Sequence, residues 1–188
     1  NDATNNIIRY VTIEGGVTAT TTGVVHIETT TATTGNDNNT ITNCDIRDRS
    51  DAAGIPANLV YIAGTTAKEN DNITLSNNNL YNFLTNGIYR LATASNGGAN
   101  YYTISGNSFY YNGTATGTQT AINFIPGNNT GNTNNSITGN YIGGNASALP
   151  GNAISGTWTN SGNNTFIGIQ LASTAVSVSG NVISGISK

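Results

Sequence analysis

Apolar residues in this chain alternate with hydroxyl-bearing ones in short bursts, and the bursts recur. "TITNCDI" from Thr40, "TLSNNNL" from Thr74, "TISGNSF" from Thr103, "SITGNYI" from Ser136 and "SVSGNVI" from Ser177 follow one pattern, [ST]-[ILV]-[ST]-[GN]-N-x-[ILF], with Cys44 replacing its Asn once. A weaker sixth member, "TIEGGVT", begins at Thr12, so successive starts lie 28, 34, 29, 33 and 41 residues apart. A motif held constant at a variable interval of this size predicts one turn of a β-solenoid per repeat, with loops of differing length between the constant parts.

Each column of the motif has a physical role. The first apolar column (Ile13, Ile41, Leu75, Ile104, Ile137, Val178) is flanked by Ser and Thr, as in a strand with one buried face. The second (Ile46, Leu80, Phe109, Ile142, Ile183) comes five residues later. An odd offset cannot keep both columns on one face of a straight strand, so the chain must turn a corner between them. The corner residue is Gly15, Asn43, Asn77, Gly106, Gly139 or Gly180. Gly and Asn enter the left-handed backbone region at least cost. The following column holds Asn78, Asn107, Asn140 and Asn181, preceded by Gly16 and Cys44. At the strand spacing of about 4.8 Å, stacked amides can hydrogen-bond along the axis as a ladder. Cys44 cannot continue it, so the ladder should stop near the third coil, with the thiol a small buried filler.

A further strand recurs between motifs: "GVVHIE" (23–28), "NLVYIA" (58–63), "NGIYRLA" (86–92), "TAINFI" (120–125) and "FIGIQLA" (166–172). Its alignment stacks His26 in one column with Tyr61, Tyr89 and Asn123, which makes His26 an expected half-exposed ladder residue. The longest interval contains an inserted loop over 144–164, with Pro150 and Trp158. The whole chain, 1–188, thus reads as a single all-β domain of about six coils.

Composition narrows the function classes. Charged residues make up 8% of the chain, and all nine carboxylates lie between Asp2 and Asp71. From Asn72 to Ser187 the one formal charge is Arg90. With no basic stripe, nucleic acid is not an expected partner. The apolar runs are too short to span a bilayer. One cysteine permits neither an internal disulfide nor a cysteine-based zinc site. The final "SGNVISGIS" opens a fresh coil with no polar cover after it, and solenoid ends need caps. Both ends therefore look truncated, as in a piece of a longer protein with flanking domains.

Candidate chemistry is sparse. "NCDIRDRSDAAG" (43–54) places Asp45 and Arg47 outward, with Asp48, Arg49 and Asp51 in the turn that follows. Such a patch could hold a uronate carboxylate through its Arg, or it could be a solvated turn of compensating ion pairs. If the chain is an enzyme, Asp45, Arg47, Asp48 and Asp51 are its catalytic candidates, with calcium an optional ion; otherwise no cofactor or metal is expected. Neighbouring repeats carry Asn79, Tyr81, Ser108 and Tyr110 at the equivalent positions, so the carboxylates come from a single repeat. Tyr81, Tyr110 and Tyr111 form the other candidate: a strip on which sugar rings could stack, or plain cross-strand aromatic pairing. His26 is the single histidine and makes a poor metal site. Paired outward Ser/Thr columns, from Thr40/Thr42 to Ser177/Ser179, also resemble an ice-binding face, although half of the positions are Ser.

The "SGN" corner and its Asn column resemble the right-handed parallel β-helix of the pectate-lyase-like superfamily, over most of the chain. The resemblance implies architecture more than activity, since that fold serves lyases, hydrolases, epimerases, tailspikes and adhesins. The Thr/Asn/Gly-rich, Lys-poor style is similar to repeat regions of large secreted surface proteins of Gram-negative bacteria, including type IX secretion cargo. Three functions follow as expectations. They are a non-catalytic extracellular structural or adhesive segment, a carbohydrate-active β-helix, and an ice-binding solenoid. The expected partner is a polysaccharide or another cell-surface glycan.

Overall fold

The computed structural model describes residues 2–28, 33–91, 98–125, 132–143, 158–172 and 175–187. Within them every regular element is a strand, and every strand pairs in parallel with the equivalent strand of the next repeat. The first sheet runs in chain order through Ile7–Arg9, Thr40–Thr42, Thr74–Ser76, Thr103–Ser105, Asn135–Thr138 and Val176–Ser179. The second contains Thr12–Gly15, Asp45–Asp48, Asn79–Tyr81, Ser108–Tyr110, Tyr141–Ile142 and Val182–Ile183. The third contains Val25–Ile27, Asn58–Ile62, Asn86–Arg90, Gly117–Phe124 and Asn164–Leu171. This repeated stacking is consistent with a β-solenoid. Among the described residues no helix is long and apolar enough to cross a membrane.

The two apolar columns are in register and buried. Ile41, Leu75, Ile104 and Ile137 stack in the first sheet, and Ile46, Leu80, Phe109 and Ile142 in the second. Val60, Ile88 and Ile122 close the core from the third sheet. Each such side chain contributes roughly 1.5–3 kcal/mol by leaving water. Arg90 shares this interior: it is fully buried, donates to the carbonyls of Leu91 and Gly98, and lies 5.8 Å from the Tyr102 ring centre.

The corner between the first two sheets is left-handed in each repeat, with φ of +54° at Asn43 and Asn77, +63° at Gly106, +62° at Gly139 and +64° at Gly180. The amide ladder follows it. Asn78 Nδ2 donates to Asn107 Oδ1 at 3.0 Å, Asn107 to Asn140 at 3.0 Å and Asn140 to Asn181 at 2.8 Å. The same oxygens accept the backbone N–H of the preceding Asn. The second hydrogen of each Nδ2 goes to the carbonyl of Ile41, Leu75, Ile104 or Ile137 in the previous repeat. The side-chain ladder ends at Asn78. Cys44 is fully buried there: its N–H donates to Asn78 Oδ1 at 3.0 Å, and its Sγ lies 3.7 Å from the Ile8 carbonyl.

One motif copy is displaced from its sequence assignment. Thr12–Gly15 pairs with Asp45–Asp48, setting Ile13 beside Ile46, so Ile13 belongs to the second column. Ile7–Arg9 supplies the first-sheet strand, with Ile8 beside Ile41. Tyr10, at φ +56°, takes the corner that the sequence assigned to Gly15, and Val11 takes the ladder position assigned to Gly16. Tyr10 and Val11 are exposed, so this corner tolerates side chains that the buried corners exclude. Of the loop expected over 144–164, residues 144–157 lie outside the described ones. Trp158–Asn160 is a strand of a small sheet with Asn112–Gly113 and Ile186–Ser187, and Trp158 is buried between Phe83, Tyr111 and Phe166.

Candidate functional site

The outer face of the second sheet gathers most of the residues singled out in the sequence. Parallel register sets Glu14, Arg47, Tyr81 and Tyr110 side by side in one row. Arg47 Nε lies 3.7 Å from Glu14 Oε1 and 3.4 Å from Asp48 Oδ1, and it donates to the Asp48 carbonyl. Its Cζ sits 4.9 Å from the Tyr81 ring centre, and Tyr81 stacks nearly flat on Tyr110 at 4.4 Å and 10°. A cation over an aromatic ring is worth about 1 kcal/mol when partly exposed.

The carboxylates are each engaged. Asp45 Oδ1 accepts from Asn79 Nδ2 at 2.8 Å, and Asp48 Oδ1 accepts from Asn82 Nδ2 at 3.1 Å. Glu14 Oε2 accepts from the Ser50 hydroxyl and N–H, which hold its carboxyl below the usual range, helped by Arg47. Asp51 forms a separate bidentate pair with Arg49 at 2.8 and 2.9 Å, and this hydrogen bonding lowers its pKa. The structure thus brings Asp45, Arg47 and Asp48 onto one face and leaves Asp51 in its own exposed pair. Among the described residues no group of three or more His, Cys, Asp or Glu is arranged to hold a metal ion.

The three tyrosines separate. Tyr81 is half-buried, and Tyr110 retains 7% exposure, its phenol pushed well above the usual tyrosine range by burial and then by Tyr81. Tyr111 is turned into the core beside Trp158, fully buried, and offers no face to a ligand.

Sequence reading missed a second left-handed corner, ahead of the first sheet. Asn5, Asn38, Asn72, Tyr101 and Asn134 occupy it with φ between +53° and +59°. A polar row precedes it. Asp37 Oδ1 accepts the Asp71 N–H at 2.8 Å, Asp71 Oδ1 the Asn100 N–H at 3.0 Å, and Asn100 Oδ1 the Thr133 N–H at 3.1 Å. Burial, opposed by the bond from Asp71 N–H and reinforced by the Asp71 charge, raises the Asp37 pKa. The missed signal was an Asp, Asn or Thr four residues before each of Ile41, Leu75, Ile104 and Ile137.

The outer face of the third sheet carries the column anticipated from alignment. His26, Tyr61, Tyr89, Asn123 and Gln170 stand in register, with His26 and Tyr61 edge-to-face at 5.1 Å and Tyr61 and Tyr89 at 5.5 Å. His26 Nδ1 lies 3.1 Å from Thr22 Oγ1. Compared with protein-family models, curated proteins and solved structures, the chain finds no match in any of the three. Function is therefore argued from the side chains themselves.

Proposed function

We propose that the chain is a right-handed parallel β-helix of about six repeats that serves as a non-catalytic structural or adhesive segment of an extracellular or bacterial cell-surface protein. The observation that carries this reading is the direction of its polar side chains. The buried amides bond to each other and to backbone groups of adjacent repeats, along the stack, through Asn78, Asn107, Asn140 and Asn181. A second amide set, Asn58, Asn86 and Asn123, does the same at the third sheet. Such bonding ties each repeat to its neighbours in a quasi-one-dimensional array, which suits a stalk or a presenting surface. The Thr/Asn-rich composition with few lysines supports export, including as type IX cargo, alongside flanking domains of a longer protein.

The catalytic alternative would draw on Asp45, Arg47 and Asp48, whose charged groups already engage Asn79, Glu14 and Asn82. Incubation with polygalacturonate and alginate, with and without calcium, tests the reading. Unchanged polymer length is the expected result. Turnover that Asp45→Ala or Arg47→Ala abolishes would overturn it in favour of a polysaccharide-acting enzyme, and thermal hysteresis would overturn it in favour of ice binding.

A further inference from the structure

We propose that the outer face of the third sheet is a binding groove for an uncharged oligosaccharide; this names a ligand class for the adhesive role proposed above. The groove follows from a bend in the strands. In each central strand two consecutive residues face the core: Leu59 and Val60, Gly87 and Ile88, Ala121 and Ile122. Gly87 has no room for a side chain, because a Cβ there would lie 2.6 Å from the Ala121 carbonyl oxygen and 2.8 Å from the Phe109 ring. Two successive inward residues break the strict alternation of a flat strand, so the outer side is hollowed. Asn123 sits beside Tyr89 in register, yet its Nδ2 reaches Asn86 Oδ1 at 3.1 Å. Three residues of straight strand would set those positions roughly 10 Å apart along the chain.

The resulting depression has a volume of about 360 Å³, within the range of small-molecule sites. Its floor is Asn86, Thr120, Tyr89 and Asn123, and Thr118 and Gln170 stand exposed at the rim. Among the described residues no Asp, Glu, Lys or Arg lines it. An aromatic ring with hydroxyls and amides, which both donate and accept, matches the alternating apolar faces and hydroxyl edges of a neutral pyranose. A uronate, phosphate or sulfate would find no countercharge here.

The amides are also preset. Asn58 Nδ2 donates to the carbonyls of Thr20 and Thr22, Asn86 Nδ2 to Asn58 Oδ1 at 2.7 Å, and Asn123 Nδ2 to Asn86 Oδ1. These bonds orient all three amides and leave one acceptor, Asn123 Oδ1, buried without a hydrogen-bond partner. Buried acceptors are rarely left so, and an outward turn of the Asn123 side chain would present this oxygen to a ligand hydroxyl. On the second sheet, by contrast, Tyr81 and Tyr110 already cover one another.

The test is calorimetric titration of the whole chain with gluco-, manno-, galacto- and xylo-configured neutral hexasaccharides, and with hexagalacturonate as the charged comparison. At least one neutral hexasaccharide should bind with a Kd below about 1 mM, and hexagalacturonate should bind more weakly. Tyr89→Ala should weaken that binding at least tenfold, and Tyr81→Ala should leave it unchanged. Because Tyr89→Ala could disturb the sheet, Thr118→Trp provides a second probe: it fills the groove from an exposed position and should abolish binding with an unaltered circular dichroism spectrum. Failure of all four neutral sugars to bind, preference for hexagalacturonate, or binding that survives both groove variants overturns the proposal. Chromatography of the recovered sugar separates the two readings: cleaved sugar refutes the non-catalytic role, while absent binding refutes the groove alone.

Discussion

The two left-handed corners that bracket each first-sheet strand solve one problem with different chemistry. At the buried corner, an Asn in each inner repeat bonds side chain to side chain, and its neighbours leave no room for water. At the opposite corner, Asp37, Asp71 and Asn100 each accept a backbone N–H of the next repeat, with solvent close by. The first arrangement requires one residue type, since both Oδ1 and Nδ2 are used. The second needs an accepting oxygen in each repeat, so Asp and Asn interchange; Asn100 adds an Nδ2 bond to Asp71 Oδ2 at 2.9 Å, while like charges face one another at Asp37 and Asp71.

The comparison predicts unequal sensitivity. Asn107→Ala should cost the most, roughly 3 kcal/mol, because it strands the buried N–H of Asn78, its Nδ2, and the Leu75 carbonyl. Urea titration would show this as a lowered midpoint, and a loss below that of Asn100→Ala would erase the distinction between corners. Gly106→Ala should cost about 1–2 kcal/mol, since an Ala at φ +63° is strained and its Cβ would meet Asn77 Oδ1. Gly106→Asn should cost less, as Asn77 already adopts that conformation.

Tyr102, just past the second corner, gives a pH test of the cover there. Burial, partly offset by Arg90, pushes its phenol up to about 12, from the usual 10. The folded state thus favours the neutral form, so its contribution is complete below pH 10 and is lost as pH rises through 12. Tyr102→Phe should blunt that alkaline loss in pH-dependent unfolding, and at neutral pH cost about 1 kcal/mol for the bond to the Asn70 carbonyl. Asn100→Ala should cost about 1 kcal/mol, because water can replace both the acceptor for Thr133 and the donor to Asp71 Oδ2. Cys44→Ala should have the smallest effect, under about 1 kcal/mol, since the thiol's hydrogen bonds are weak and the Asn78 oxygen keeps its backbone donor. Melting temperatures of this pair would check the order.

What could be read in the sequence follows the same division. The buried corner was legible because its chemistry admits one solution, so Asn78, Asn107, Asn140 and Asn181 repeat visibly. The register of His26, Tyr61, Tyr89 and Asn123 was legible because the inward aliphatics beside them align. The second corner was hidden by its tolerance: Asp71, Asn100 and Thr133 do not look alike, although they lie in one row. Ile13 was misassigned because Gly15 and Gly16 imitate a corner, while Tyr10 forms the real one. Tyr111 resembled a surface residue until Trp158 arrived beside it from a distant strand. The groove at Tyr89 was invisible for a geometric reason, since the doubled inward residues Gly87 and Ile88 defeat a period of two.

The ladder has a consequence of direction. Every amide-to-amide bond along it points the same way, from Nδ2 of one Asn to Oδ1 of the Asn in the later repeat. The side-chain ladder is therefore a vector, although the backbone bonds between the same repeats run both ways. A repeat added at the Asn181 side would prolong that vector by bringing an amide oxygen to the Asn181 N–H, as Asn181 itself does for Asn140.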